Sequence, residues 1–510
     1  MISASIGNTA VKNAVSVVDY GADHTGSRDS SAAFAAAAQA ADDKSGGYGG
    51  AVYVPPGRYI VADAPLDAGT SVDSFHTRPI TYIGAGSGQT FITVEAGEVG
   101  FSTTKSGTVR GGGVIGMTIT GDGNSAEPSS SSVEADWYDS ATPANAATTT
   151  AILVSNGVGN EVFDFIVEGC DIKNHRYGVR FVGRCRSPKF TSNNIWYCWQ
   201  AINAPEHPFF AGVNDLRYNY ICYTAPGTSS DTLIFDCIFS GVKFMYSHYG
   251  LIHEDEATGV NNCTFTGCIF GMNKVTGVLL ASENNVANNY FITVSSGFTQ
   301  DEAVKVIGRQ NVINNNNFES FGVAYSNAVI NVNPSTWGES FVTICGNQFN
   351  SRAGAGAQGL PIKFSTASGR FDGAVISDNT VAMNNGTGTQ FIECTARLSY
   401  STISGNTLKA EGSYAEGTGH AISLGSGSKY NTVSGNSCFY GAGVTSSTDF
   451  FYGYGANSTF IGNSVVRSSN ATRRGFQFLD TPGVYSYDLS HDHGGSSALS
   501  TIYLNNYDNP

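Results

Sequence analysis

Along most of the chain, short apolar runs alternate with two-residue polar corners, and the corners return at a regular interval. Gly346-Asn347, Asp378-Asn379, Gly405-Asn406, Gly435-Asn436 and Gly462-Asn463 each follow one short apolar strand and precede another, at spacings of 32, 27, 30 and 27. The pattern reaches back through Asn316 and Asn289, after which the same slot is assigned to Cys268, Cys237, Asn219, Asn194 and Cys170. A period of this size is the mark of a solenoid. Turns of two or three strands joined by Gly/Asn corners predict a parallel β-helix, each coil stacked on the last at the ~4.8 Å strand spacing. Asn suits the corner because it tolerates left-handed backbone and because its amide can bond to the same position one coil away. A leucine-rich repeat would need its Leu consensus, and a propeller needs longer, four-stranded repeats. Neither is present.

Residues 17 to 60 depart from the repeat. Val17-Val18-Asp19-Tyr20-Gly21-Ala22-Asp23 leads through Gly26 into Asp29-Ser30-Ser31-Ala32-Ala33-Phe34 and an Ala-rich stretch to Ala41. That stretch predicts an amphipathic helix capped by Asp29 or Ser30, with its apolar face closing the open end of the solenoid. Gly49-Gly50-Ala51-Val52-Tyr53-Val54-Pro55-Pro56-Gly57-Arg58-Tyr59 then predicts strand, turn, strand. At the other end, from Phe476 to Pro510, the repeat gives way to Tyr-, Asp- and His-rich short segments.

The two N-terminal blocks together resemble the signature of the pectate-lyase-like superfamily, whose members include polygalacturonases, pectate lyases and the tailspikes of short-tailed phages. The resemblance implies an all-β, right-handed single-stranded parallel β-helix, here of about 12 coils, with a short N-terminal capping helix and a small C-terminal β region. Residues 1–60 are then the N-terminal segment and cap, and residues 61–470 the β-helix, with an insertion loop at 121–149. Residues 471–510 are expected to clamp a homotrimer, as tailspike ends do.

Composition narrows the partners. A net charge of −14 with only 27 Lys and Arg disfavours nucleic acid, which demands clustered cations. No run of apolar residues is long enough for a membrane span, and Met1-Ile2-Ser3-Ala4 lacks the basic and apolar parts of a secretory signal. The ten cysteines show no CxxC and no metal-type spacing, so they are expected to be reduced, buried thiols in a protein that folds in a bacterial cytoplasm. No cofactor or metal is expected. His491-Asp492-His493 is one isolated trio.

Candidate chemistry follows from stacking, because equivalent positions on successive coils share one face. Aligning Leu251–Glu256, Val278–Glu283 and Val304–Arg309 puts Glu256, Glu283 and Arg309 in one vertical row. Two carboxylates in one groove are what glycoside hydrolysis requires. Glu256 and Glu283 are the expected acid–base pair, with Asp255, Asp301 and Glu302 as substitutes. Substrate contacts are expected from Glu206, His207, Tyr246, His248, His253, Glu254, Lys274 and Arg309, with Trp199 and Trp337 as sugar-stacking faces. The resemblance further implies a phage tailspike that binds and cleaves a bacterial surface polysaccharide, O-antigen or capsule. Such a protein would work outside the cell as part of the virion tail and join the tail or baseplate through a separate N-terminal region. A polysaccharide lyase, with Arg309 or Lys274 neutralising a uronate, and a non-catalytic receptor-binding spike are the alternatives.

Overall fold

The computed structural model describes residues 14–62, 79–95, 98–102, 109–121, 149–155, 161–175, 177–182, 184–186, 188–196, 200–203, 234–235, 237–245, 249–251, 260–271, 276–280, 282–293, 300–321, 325–333, 341–352, 360–365, 370–384, 390–411, 420–440, 451–454, 457–467 and 476–478. The chain divides into two compact units, residues 1–269 and 270–510. Both are built as right-handed parallel β-helix, each coil adding one strand to each of three sheets, here called A, B and C.

In the first unit, sheet A carries eight strands, from Val15–Ser16 through Gly50–Val54 and Ile80–Gly84 to Thr264–Thr266; in the second it carries seven, from Asn285–Ala287 to Thr459–Ile461. Among the described residues the two units together hold fifteen such strands, against the dozen coils expected. The coils missed are those nearest the N-terminus, whose A-to-B corners hold no Asn or Cys. Gly116-Met117, for example, fills that place between Gly113–Ile115 and Thr118–Gly121.

The corner between sheets A and B explains the repeat. A left-handed residue, such as Gly346, Asp378 or Gly405, turns the chain, and the next residue points inward and is buried. In the second unit that buried residue is Asn289, Asn316, Asn347, Asn379, Asn406, Asn436 and Asn463. Each side-chain amide donates to the Oδ1 of the next, at 2.8–3.0 Å, so the row forms a continuous ladder. Asn406 shows the full pattern. Its Nδ2 also bonds the Ile376 carbonyl, and its Oδ1 accepts the backbone N–H of Asn379. A buried polar group costs little only when satisfied in this way.

In the first unit the slot holds Cys170, Asn193, Val242 and Cys268, all buried. Two assignments change. Asn194 begins the strand Asn194–Trp196, and its neighbour Asn193 is the corner residue, bonding the Cys170 N–H and the Val167 carbonyl. Cys237 lies at the opposite corner, just before Ile238–Ser240. Asn219 lies outside the described residues. Register by spacing fails at these points because loops of unequal length intervene while a one-residue shift turns a side chain over.

Helix Ser31–Lys44 forms as expected and buries Ala33, Phe34, Ala37, Ala38 and Ala41. Phe34 meets Tyr59 edge-on, ring centroids 5.7 Å apart, which closes the first coil. Ser30 occupies the N-cap position, but the capping oxygen is that of Asp29, which accepts the Ser31 N–H at 2.9 Å. The Ser30 hydroxyl instead accepts the N–H of Asp23. Inside the coils, like stacks on like. Phe190, Phe239 and Phe265 form one aromatic column in the first unit, and Phe270, Phe291, Phe318 and Phe349 another in the second.

The described cysteines are free thiols; Cys170, Cys237, Cys263, Cys268, Cys394 and Cys438 are buried and Cys345 is half-buried. Burial pushes the Cys170 and Cys394 thiols up to about 12 and that of Cys268 to about 11, so they act as small apolar side chains. No described helix is long and apolar enough to cross a membrane.

Candidate active site

Sheet C of the second unit is the element that gathers polar chemistry. Its strands Thr276–Leu280, Gln300–Val306, Tyr325–Val332, Leu360–Phe364, Ile392–Cys394, Ile422–Leu424 and Phe451–Gly453 pair in register. Val278, Val304, Ile330, Ile362, Ile392, Ile422 and Phe451 make one vertical row and face the interior, all buried. The residue after each points the other way, since strand side chains alternate. That outward row reads Leu279, Lys305, Asn331, Lys363, Glu393, Ser423, Tyr452. From its second coil on, every member can donate or accept a proton or hydrogen bond.

Glu302 is tied to this row. It is only 4% exposed, and its Oε1 accepts a hydrogen bond from Asn331 Nδ2 at 3.0 Å. Asn331 is itself buried, and its Oδ1 accepts from the Ser365 hydroxyl at 2.9 Å. A chain Ser365–Asn331–Glu302 thus orients one carboxylate. Glu393 supplies a second, two coils beyond Asn331 and roughly 10 Å from it along the stack. Further along, the His420 ring stacks on Tyr452 with centroids 4.2 Å apart and planes within 7°. Burial lowers the imidazole to about 4, so it is neutral at neutral pH.

Among the residues expected from sequence, Glu302 stands beside this row, and the side chain of Asp301 is not described. Glu283 and Arg309 are neighbours, as expected, through the bond from the Glu283 N–H to the Arg309 carbonyl at 2.9 Å. Both are exposed, however, and both lie past the end of sheet C, at the corner leading to sheet A. The level partner of Glu283 is Gln310, not Arg309. Leu280 pairs with Val306 and Asn285 with Val312, so the first turn spans five residues (280 to 285) and the second six (306 to 312). Glu302 pairs with Thr276, at the start of the strand that Glu283 follows. The two carboxylates accordingly sit at opposite ends of sheet C and do not form a pair.

Glu256, Asp255, Glu254, His253, Glu206, His207, Tyr246, His248, Lys274, Trp199 and Trp337 lie outside the described residues, as do the insertion at residues 122–148 and the trio His491-Asp492-His493. Lys363, Glu393, His420 and Tyr452 were missed by sequence reasoning. The signal for Lys363 and Glu393 was present in the apolar–polar–apolar triplets Val304-Lys305-Val306, Ile330-Asn331-Val332, Ile362-Lys363-Phe364 and Ile392-Glu393-Cys394, whose centres repeat with the coil.

Comparison with known proteins bears on the fold. Residues 14–125 match the family described as rhamnogalacturonase A/epimerase, pectate lyase-like. No curated protein matches the chain. Among solved structures, the catalytic unit of the thermostable α-1,3-glucanase of Streptomyces thermodiastaticus is similar at 16% identity and a TM-score of 0.50, covering 85% of this chain and 68% of that one. The A-module of the mannuronan C-5 epimerase AlgE6 of Azotobacter vinelandii aligns at 15% identity and a TM-score of 0.42, over 92% of this chain and 100% of that one. Pre-mature gene product 12 of bacteriophage phi29 aligns at 13% identity and a TM-score of 0.46, over 95% of this chain and 58% of that one.

Proposed function

We propose that this chain, a pectate-lyase-like β-helix protein, binds and depolymerises a bacterial surface polysaccharide, O-antigen or capsule, by endo-acting hydrolysis. The observation that carries the reading is the outward row of sheet C, with Glu302 anchored to Asn331 and Glu393 two coils beyond Asn331, three from Glu302. Two carboxyl groups are the minimum equipment of a glycoside hydrolase; here Glu393 is half-buried on the outward row and Glu302 is buried beside it. Their strands lie three coils apart, roughly 14 Å along the stack, so the two side chains would have to reach toward each other to approach the ~6.5–9.5 Å of an inverting site, and the ~5 Å of a retaining one is out of range. In this reading Glu302 and Glu393 are the acid–base pair, and Lys305 and Lys363 hold sugar hydroxyls or carboxylates. The α-1,3-glucanase of similar fold acts on a polysaccharide, which is support by analogy of fold.

The setting we favour is a phage tailspike: a homotrimer that folds in the bacterial cytoplasm, joins the tail through a separate N-terminal region, and acts outside the cell. The paired lysines on either side of Asn331 favour a second reading, in which Lys305 and Lys363 neutralise a uronate and the chain is cut by β-elimination.

The test is mass spectrometry and near-ultraviolet absorbance on digests of a bacterial polysaccharide panel, with Glu302→Gln, Glu393→Gln, Glu256→Gln and Glu283→Gln beside the native protein. Saturated oligosaccharides whose formation stops in Glu302→Gln and Glu393→Gln support the hydrolase. Unsaturated products decide for the lyase. Binding of polysaccharide without any shortening would leave a receptor-binding spike and overturn the enzymatic reading.

A further inference from the structure

A second vertical row runs along the corner that joins sheet C to sheet A in the second unit. Strand register places Glu283, Gln310, Phe341, Gly373, Tyr400, Tyr430 and Asn457 at one position on successive coils. Backbone at this corner is left-handed, with φ of 61° at Glu283, 74° at Gly373, 52° at Tyr400, 58° at Tyr430 and 53° at Asn457. Glycine and asparagine are the residues that suit it; a bulky aromatic there is strained. Tyr400 and Tyr430 adopt it nevertheless, and together with Phe341 they put three large aromatics of the row in solvent. Phe341 is 53% exposed, Tyr400 57% and Tyr430 42%.

The rings form an organised surface. Tyr400 and Tyr430 stack with centroids 5.0 Å apart and planes within 18°. Phe341 leans over the coil of Gly373, where a β-carbon would stand 2.4 Å from its ring, so the glycine makes room for it. The far end of the row is cationic. Lys429 Nζ lies 5.1 Å from the Tyr430 ring centre, and Arg397, whose Nε bonds the Ser399 hydroxyl, lies against Gly427. The one carboxylate of the row, Glu283, stands at the opposite end.

We propose that Phe341, Tyr400 and Tyr430 are a rail that holds an acidic polysaccharide outside the catalytic face, its apolar sugar surfaces on the rings and its carboxylates toward Lys429 and Arg397. The inference rests on the polysaccharide reading above and extends it, since the row borders the end of sheet C. Coil spacing, ~4.8 Å, is close to the length of one pyranose unit, so successive sugars of a chain running along the stack meet successive rungs. Aromatic rings with flanking cations are the chemistry that recognises an anionic glycan.

The test compares the native protein with Tyr400→Asn/Tyr430→Asn, which keeps a residue suited to the left-handed corner, and with Lys429→Gln. Affinity electrophoresis in gels containing purified uronate-bearing bacterial capsules and their carboxyl-reduced forms gives binding, turnover of the shortest cleaved oligosaccharide gives catalysis, and light scattering gives oligomeric state. We expect the double variant to bind polymer about tenfold more weakly, with short-substrate turnover within twofold and mass unchanged. Lys429→Gln should lose affinity for the acidic form and not for the reduced one. Unchanged polymer binding by the double variant, in a native protein that does bind and cleave, overturns the rail alone. A drop to smaller species overturns it too, because the row would then pack against a second copy. A native protein that neither binds nor cleaves any capsule overturns the functional reading and the rail with it.

Discussion

The Nδ2 of Asn331 donates to Oε1 of Glu302 at 3.0 Å, joining a buried carboxylate to the outward row of sheet C. The contact crosses from one coil to the next between strands Gln300–Val306 and Tyr325–Val332. Asn331 cannot accept a proton at neutral pH, so the bond holds Glu302 in place without competing for its charge.

Glu302→Gln keeps the shape and removes the charge. We expect polysaccharide cleavage to fall at least 100-fold, with a melting temperature close to the native value. Initial rates by reducing-end release check it, and a rate within a factor of three of native would remove Glu302 from the chemistry.

Glu283 gives the opposite expectation. Its φ of 61° is costly for a glutamate, and its side chain is exposed. Glu283→Asn should stabilise the protein by about 0.5–1 kcal/mol and leave cleavage within twofold. Denaturant unfolding beside the rate assay reads both; a large loss of rate would return Glu283 to the catalytic group.

The asparagine ladder should resist interruption. Asn406→Leu removes donors to the Ile376 carbonyl and Asn436, and strips the Asn379 N–H and amide of their acceptor. With several buried groups left unsatisfied, we expect a loss of about 2–4 kcal/mol in urea unfolding. Conversion of Val242, which fills the same slot without polar bonds, to alanine should cost less, about 1–2 kcal/mol.

Acid stability should turn on His175. The ring is fully buried, its Nε2–H donates to the Ile119 carbonyl at 3.3 Å, Nδ1 has no hydrogen-bond partner, and burial lowers the group to about 3. It stays neutral in the fold, while the unfolded chain takes up its proton from about pH 6.5 downward. Stability from this site is therefore whole above pH 6.5 and declines as pH falls toward 3, by as much as about 5 kcal/mol. Thermal unfolding at pH 7 and pH 4 should show His175→Gln losing less than the native protein over that interval; equal losses would mean that the imidazole is not what titrates.

Much of this was legible in the sequence. The corners at Gly405-Asn406 and Gly435-Asn436 announce the coil because one residue must adopt left-handed backbone and the next must satisfy its amide inside. Lys363 and Glu393 were as visible, at the centres of their apolar triplets, whereas the acidic run Glu254-Asp255-Glu256 falls outside that pattern. Asn193 was missed by one position, because spacing measures chain length and not register.

The amino-acid sequence alone determined the class of fold, the capping helix at Ser31–Lys44 and the burial of six of the seven described cysteines as free thiols, since each follows from local backbone preference and from which side of a strand is apolar. Only the tertiary structure decided which residues stand above one another. Loops between coils differ in length, so the meeting of Glu302 with Asn331, the parting of Glu302 from Glu283, and the stacking of Tyr400 on Tyr430 depend on hydrogen-bonded register between coils, which no single stretch of sequence contains.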